Sequence, residues 1–368
     1  MIEKGKISAL QMAILIHPTV SATAILLVPA ITSIHGGRDM WISPIWASLV
    51  GFLTVYICYR LHRLYPKETV IEYSCHILGR IPGKVIGLFL LLFYLHINGI
   101  VLREYSEFII GNVLPLTPPV VVMGSMTLAC AFAVRGGVEV LGRLGQLFIP
   151  MVVLFAVVIF LLLIPDMEVK QIRPIMEDGP FPSLWGALTP QSWFSEFFLL
   201  SFLFPFLKDR EKGLRWGMLA VFLVMTFLLV INLSTIFILG NITSHMVYPV
   251  MSIVRYISIA DFIEHLESIV MAMWVVGVFL KISVFYYAIS LGTANWLQLT
   301  DYRPIVLPLG FLLLLIGFWS APNLQELEQY LQAANSIHMT VVQTLLPLFL
   351  LLIATIRKGK SQNKGAKH

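Results

Sequence analysis

The chain predicts an all-α integral membrane protein of ten transmembrane helices with both termini in the cytoplasm, and three observations carry that prediction. It is 58% hydrophobic and 12% charged over 368 residues, with a mean hydropathy of +0.86, a composition that no water-soluble globular domain shares. Apolar runs recur at roughly 8–34, 41–62, 85–112, 119–134, 146–165, 191–207, 213–240, 266–292, 303–321 and 337–356, most of them close to the ~20 residues that cross a hydrocarbon core. Nineteen of the 25 Lys and Arg residues then fall in alternate polar pieces: Lys4 and Lys6; Arg60, Arg63, Lys67, Arg80 and Lys84; Arg135 and Arg143; Lys208, Arg210, Lys212 and Arg215; Arg303; and Arg357, Lys358, Lys360, Lys364 and Lys367. The intervening pieces hold Arg38, Lys170, Arg173 and Arg255, while Arg103 and Lys281 lie inside spans. Cations are retained on the cytoplasmic side, so this asymmetry sets both the number of crossings and their direction.

Taken in order, the first run is interrupted by Pro18 and the sixth by Pro205. The fourth and sixth are short, which implies tilt, shielding by neighbours or a broken helix. The segment 66–84 is polar enough to lie on the cytoplasmic surface as a helix with Ile71, Cys75 and Leu78 on one face. The outer segment 241–265, with Pro249 and a mixed pattern around Ile253, Ile257, Ile259 and Phe262, reads as one or two short helices. Residues 357–368 form a basic, unstructured tail. A single transmembrane domain therefore occupies 1–356, divisible into repeats at about 8–165 and 191–356. Because five is odd, the second repeat enters from the opposite side. Broken helices at matching positions of two inverted halves point to a midplane binding site, since a break leaves backbone groups that lipid cannot satisfy. Simple proline kinks are the alternative.

The stretches Lys6-Ile7-Ser8, Ile25-Leu26-Leu27-Val28-Pro29, Ile71-Glu72-Tyr73-Ser74 with Leu78-Gly79, Ile172-Arg173-Pro174, Glu264-His265-Leu266-Glu267-Ser268 and the basic close, in that order and spacing, resemble the spore germination permease family, the B subunits of germinant receptors in spore-forming bacteria, within the amino acid–polyamine–organocation superfamily. The resemblance implies a leucine-transporter-type fold, a 5+5 inverted repeat with broken helices 1 and 6. It implies residence in the spore inner membrane and a small germinant, often an amino acid, sensed in a central pocket. It also implies partners: a receptor A subunit and a lipoprotein C subunit. Where relatives often carry glycines at the first-helix break, this chain has Thr19-Val20-Ser21-Ala22-Thr23. In such a fold that stretch lines the pocket, and the outer half of the helix, starting near Ala22, offers its positive end to a ligand carboxylate.

The remaining candidates come from spacing and charge. Tyr94, Asn98, Val101 and Tyr105 share one face of the third span. Leu199 and Leu200 precede Pro205, and Tyr286 and Tyr287 supply aromatic walls on the eighth. Glu196, Lys281, Arg103, Glu104 and Glu107 are intramembrane charges that must face the protein interior. Arg103 and Glu107, four residues apart, form an internal salt bridge. Glu196 either binds a ligand ammonium or pairs with Lys281 or Arg103. Lys281 is either half of that pair or a built-in cation standing where sodium sits in ion-coupled relatives of the fold.

Enzymatic readings find no support. There is no phosphate-binding glycine loop, no nucleophile motif and no His/Glu spacing suited to a metal. Cys58, Cys75 and Cys130 are far apart. No catalytic residue, cofactor or metal is expected, and the cations are too dispersed for nucleic acid. The leading expectation is a germinant-sensing receptor subunit; a proton-coupled secondary amino acid transporter and a structural subunit with a vestigial pocket are the alternatives.

Overall fold

The structure is a computed structural model that describes residues 2–255, 266–321, 323–330 and 335–365. Among the described residues the backbone is almost wholly helical, and β pairing is confined to a parallel bridge between Ile7 and Leu207. The first two spans are α1 (Ala9–Gly36) and α2 (Ser43–Leu64), joined by a 3-10 turn at Gly37–Ile42. Next come α3 (Val70–Leu78), α4 (Arg80–Asn112), α5 (Pro119–Arg135) and α6 (Val138–Leu163). The second half opens with α7 (Phe181–Ala187), then α8 (Pro190–Ser195), a 3-10 turn at Glu196–Leu199, α9 (Leu200–Leu203) and a 3-10 turn at Phe204–Phe206. It continues through α10 (Gly213–Leu239), α11 (Pro249–Arg255), α12 (Leu266–Leu297) and α13 (Arg303–Ser320). It closes with α14 (Leu324–Gln329), α15 (Asn335–Thr340), a π-turn at Val341–Leu345 and α16 (Leu346–Gly365).

Among the described residues seven runs are long and apolar enough to cross a membrane, and the first of them, Ala9–Leu64, contains both α1 and α2. Pro119–Arg135 is a shorter apolar helix. With the interrupted segment from α8 to Phe206, these account for all ten predicted spans. Burial sorts them. The apolar window of the α1–α2 run is 78% buried and that of the run containing α6 is 17%, so α1 is central while α6 lies at the edge of the bundle. Around α1 pack α10, α12, α6 and α7.

Four details depart from the sequence expectation. The first helix is not unwound at Pro18: α1 is continuous for 28 residues with both Pro18 and Pro29 inside it. Pro18 withholds one amide donor, from the Ile14 carbonyl, but the turns on either side are helical, the hydroxyls of Thr19 and Ser21 lie along the helix on the carbonyls of Leu15 and His17, at 2.8 and 2.9 Å, and no glycine nearby favours unwinding. The third span begins at Arg80 rather than at 85. On α3 the inward face is Val70, Tyr73, Ser74 and Ile77 with Ile71, while Cys75 and Leu78 are only partly buried. The turn at Gly79, with φ of +100°, folds α3 so closely on α4 that the contact face is set by backbone proximity. Finally, α16 continues to Gly365: a helix already formed extends cheaply into the basic tail. The short outer elements are a 3-10 turn at Gly240–His245 and α11. Ile257, Ile259, Phe262, Glu264 and His265 lie outside the described residues.

Both chain ends lie on one face. Ile7 receives the amide of Lys208 at 2.9 Å and donates to Phe206 O at 3.1 Å. Asp209 accepts the Ala9 amide at 2.7 Å, and Ser8 and Gln11 close a reciprocal cap on α1, satisfying donors that the first turn leaves open. Glu3 is buried beneath this seam, accepting from Tyr302 Oη at 3.0 Å and from the Val138 amide at 3.2 Å. Near the C-terminus, Lys358 reaches Leu64 O at 3.0 Å. On the opposite face the loop after α6 is tied down: Asp39 accepts the Met176 amide at 3.0 Å, Arg38 bonds the Arg173 carbonyl, and Ser43 donates to Ser183 O at 2.9 Å. Asn232 of α10 joins Thr32 of α1 to the Met40 carbonyl, at 3.1 and 2.9 Å.

The α3–α4 contact gives a test of the packing. A Cβ on Gly83 would lie 2.5 Å from Cys75 N and 2.6 Å from Ser74 O, whereas one on Gly111 meets nothing within 4 Å. Gly83→Ala is expected to lower stability by about 1–3 kcal/mol, while Gly111→Ala leaves it unchanged or slightly raised. Melting temperatures of the two variants in the same detergent check this.

Candidate ligand-binding site

At the middle of the bundle α1, the 3-10 turn Glu196–Leu199 and α12 converge on one charge. Lys281 Nζ donates to Thr23 Oγ1 at 3.0 Å and to Glu196 Oε1 and Oε2 at 3.0 and 2.8 Å. The lysine is wholly buried and Glu196 is 2% exposed. An ammonium carries three protons, and here it has three acceptors. The Phe285 ring, one turn further along α12, lies 5.6 Å from the same nitrogen and adds its negative face to the surroundings.

Each element presents its residue for a local reason. On α12, Trp274, Gly277 and Lys281 follow helical spacing and share a face. Trp274 Nε1 donates to the Ala22 carbonyl at 2.8 Å, and a Cβ on Gly277 would stand 3.2 Å from Ala22 Cβ, so the absent side chain lets α12 lie closely on α1. On α1, Thr23 Oγ1 also accepts from Trp193 Nε1 at 2.9 Å. In the sixth span, Ser192 and Ser195 turn their hydroxyls back to Thr189 O and Ser192 O, and Pro205 supplies no amide to the Ser201 carbonyl. The tightened backbone between them carries Glu196 to the lysine.

Arg103 instead bridges Glu107 on its own helix at 2.6 Å, which resolves the two pairings open to Glu196 in favour of Lys281. Glu104 is buried and lies within electrostatic reach of both Lys281 and Glu196. Asn98 Nδ2 donates to Ile282 O at 3.4 Å, next to the lysine, and Val101 is buried on the α4 face it shares with Glu104. Thr19, Val20 and Leu199 are fully buried. Three other candidates point elsewhere. Leu200 abuts Gly217 of α10, Tyr286 Oη bonds the Val306 carbonyl, and Tyr287 meets the edge of Tyr302 at 5.8 Å, toward the face holding the chain ends.

Sequence reasoning missed Trp193, Trp274 and Gln343. Gln343 projects from the π-turn, where its Nε2 donates to Ser195 Oγ at 3.1 Å and its Oε1 accepts from Tyr94 Oη at 3.2 Å. Its neighbour Thr344 pairs with Thr54 at 2.7 Å. Wide turns of this kind are frequent at functional positions, but their place is not written in residue spacing. Trp274 could have been found from the stripe it forms with Gly277 and Lys281.

A buried pair that loses one partner strands the other charge, a loss of about 3–5 kcal/mol. Lys281→Met and Glu196→Met are each expected to destabilise by that order, and the double variant by less than either. Unfolding of the purified variants in detergent measures the coupling; additive losses would show that the two side chains do not act as a pair.

Comparison with known proteins adds family and fold. The family model described as "Spore germination protein" matches residues 6–324. Spore germination protein KB of Bacillus subtilis (strain 168) is 26% identical, over 99% of this chain and 100% of its own. Spore germination protein YndE of the same organism is 26% identical over 96% and 98%, and spore germination protein XB of Bacillus anthracis 24% over 75% and 77%. Among solved structures, a Na+-coupled sialic acid symporter in a substrate-bound outward-open state superposes with a TM-score of 0.65 at 13% identity, covering 92% of this chain and 78% of that one. MhsT in complex with L-phenylalanine gives 0.61 at 12% identity, covering 94% and 98%. These likenesses fix a leucine-transporter-type fold, and neither the family nor the structural neighbours are enzymes.

Proposed function

The chain belongs to the spore germination protein family, and from that premise we propose that it is the germinant-sensing B subunit of a spore germination receptor. In this reading a small metabolite, an amino acid first among the classes, binds at the junction of α1, the sixth span and α12, within a single transmembrane domain of two repeats at 8–165 and 191–356. The junction is walled by Thr19 to Thr23, Asn98, Val101, Glu196 and Leu199. Occupancy biases the conformation of the interrupted sixth span, and the receptor A subunit and lipoprotein C subunit read that bias. The site of action is the spore inner membrane, with both termini cytoplasmic, an orientation supported by the distribution of Lys and Arg.

One observation carries the proposal: a single ammonium, Lys281, holds three elements together in a membrane interior. A ligand shifts an equilibrium only by binding its states unequally, and a ligand entering beside this contact touches all three elements at once. The alternative, proton-coupled amino acid transport, draws on the same fold, which the symporter shares. Uptake of a labelled amino acid into proteoliposomes containing this chain alone, driven by a proton gradient, would favour it.

Spores carrying this receptor as their sole one provide the direct test, screened against amino acids, nucleosides and sugars. Ser21→Phe and Val101→Phe overfill buried positions on α1 and α4. Each is expected to weaken the response to limiting germinant about tenfold or more at unchanged protein abundance. Normal responses from both variants would remove the central junction as the sensor.

A further inference from the structure

Resting on the reading that a small metabolite binds at this junction, we infer that the site selects the ligand through its ammonium group, received by Glu104 of α4, and that the ligand's carboxylate is dispensable. The ligand class is then a primary amine on a small apolar body, whether or not an acid accompanies it.

Glu104 is 4% exposed, and its Oε1 has no hydrogen-bond partner among the described residues. It lies within electrostatic reach of Lys281 and Glu196, but the lysine cannot serve it. All three ammonium protons are placed, one on Thr23 and two on Glu196. Two carboxyl groups therefore share one lysine, and the lysine is committed to the other. Asn98, six residues earlier on α4, is also buried, and its unpartnered atom is again an acceptor, Oδ1. Acceptors without donors in a dry interior call for a donor-rich guest, because a charge-assisted hydrogen bond is worth most where water is excluded.

A carboxylate finds no uncommitted cation at this junction. A broken first helix would offer free amides at the midplane, but α1 is helical from Ala9 to Gly36 and its central amides are engaged within it. The Ala22 carbonyl is taken by Trp274. Arg103 is bridged to Glu107, and Lys281 is saturated. An entering carboxylate would meet the carboxyl groups of Glu104 and Glu196 beside a lysine already committed. The wall beside Glu104 is Val101, three residues back on the same face, which suits a small aliphatic body.

The experiment uses the full chain in lipid nanodiscs and matched probes built on alanine, valine and leucine: the amino acid, its amide, its 2-hydroxy acid and its N-acetyl derivative. Affinities come from calorimetry or ligand-induced shifts in melting. The amide is expected to bind within about threefold of the amino acid, and the hydroxy acid and N-acetyl compound at least about tenfold more weakly. Glu104→Gln should erase the difference between amine and hydroxy compound. If the hydroxy acid binds as well as the amino acid while the amide fails, or if Glu104→Gln leaves the ranking intact, the ammonium inference is overturned while the central site stands. A flat response to every compound overturns the central-site reading and this inference with it. Should Glu104→Gln not fold, the series on the unaltered protein decides alone.

Discussion

Lys281 brings a positive charge to the middle of α12, where it is wholly buried, and its neighbours are disposed to answer that charge. Meeting it requires an acceptor from α1, which Thr23 supplies, and a carboxylate from the sixth span, which an unbroken α-helix would aim elsewhere. It also requires α12 to lie close along α1, hence Gly277 opposite Ala22 and the indole of Trp274 on the Ala22 carbonyl. The irregular backbone of the sixth span, costly anywhere that lipid could touch it, is tolerable because it is buried on all sides and stitched by serine hydroxyls. One ionic contact thus explains a proline, a glycine, two tryptophans and a stretch of 3-10 helix.

The spans, their order and the inward charges were legible in the sequence because hydrophobic length and the price of a bare charge in lipid are strong, local signals. The pairing of Glu196 was legible only as a choice between Lys281 and Arg103, since spacing shows which residues share a face and says little of where that face points. The same limit explains Tyr286 and Tyr287. The helix α12 is apolar nearly all round, so periodicity cannot distinguish its sides, and both tyrosines turn away from the α1 contact. Pro18 misled for a different reason. A proline announces one missing hydrogen bond, here to the Ile14 carbonyl, and with no glycine between Gly5 and Gly36 the helix runs on through it.

The family match ends at residue 324, yet the last helices contribute to the centre. Gln343 reaches Ser195, the residue before Glu196, and Thr344 reaches Thr54 of α2. The structural neighbours retain the architecture at 12–13% identity, which places the fold's demands in the disposition of helices and leaves the polar ties to vary. In this chain many of those ties are made by hydroxyl and amide groups, such as Thr54 with Thr344 and Gln343 with Ser195, partners that the bilayer does not offer.

The unbroken first helix has a mechanical consequence. Its 28 residues span about 42 Å at 1.5 Å per residue, enough to run from one face of a bilayer to the other as a single helix. It is gripped at its base by Asp209 and the Ile7 seam, near its top by Asn232, and between them by Lys281 and the two indoles. Contacts at its base, middle and top therefore all act on one continuous element, so whatever displaces α1 at one face of the bundle loads the contacts at the other.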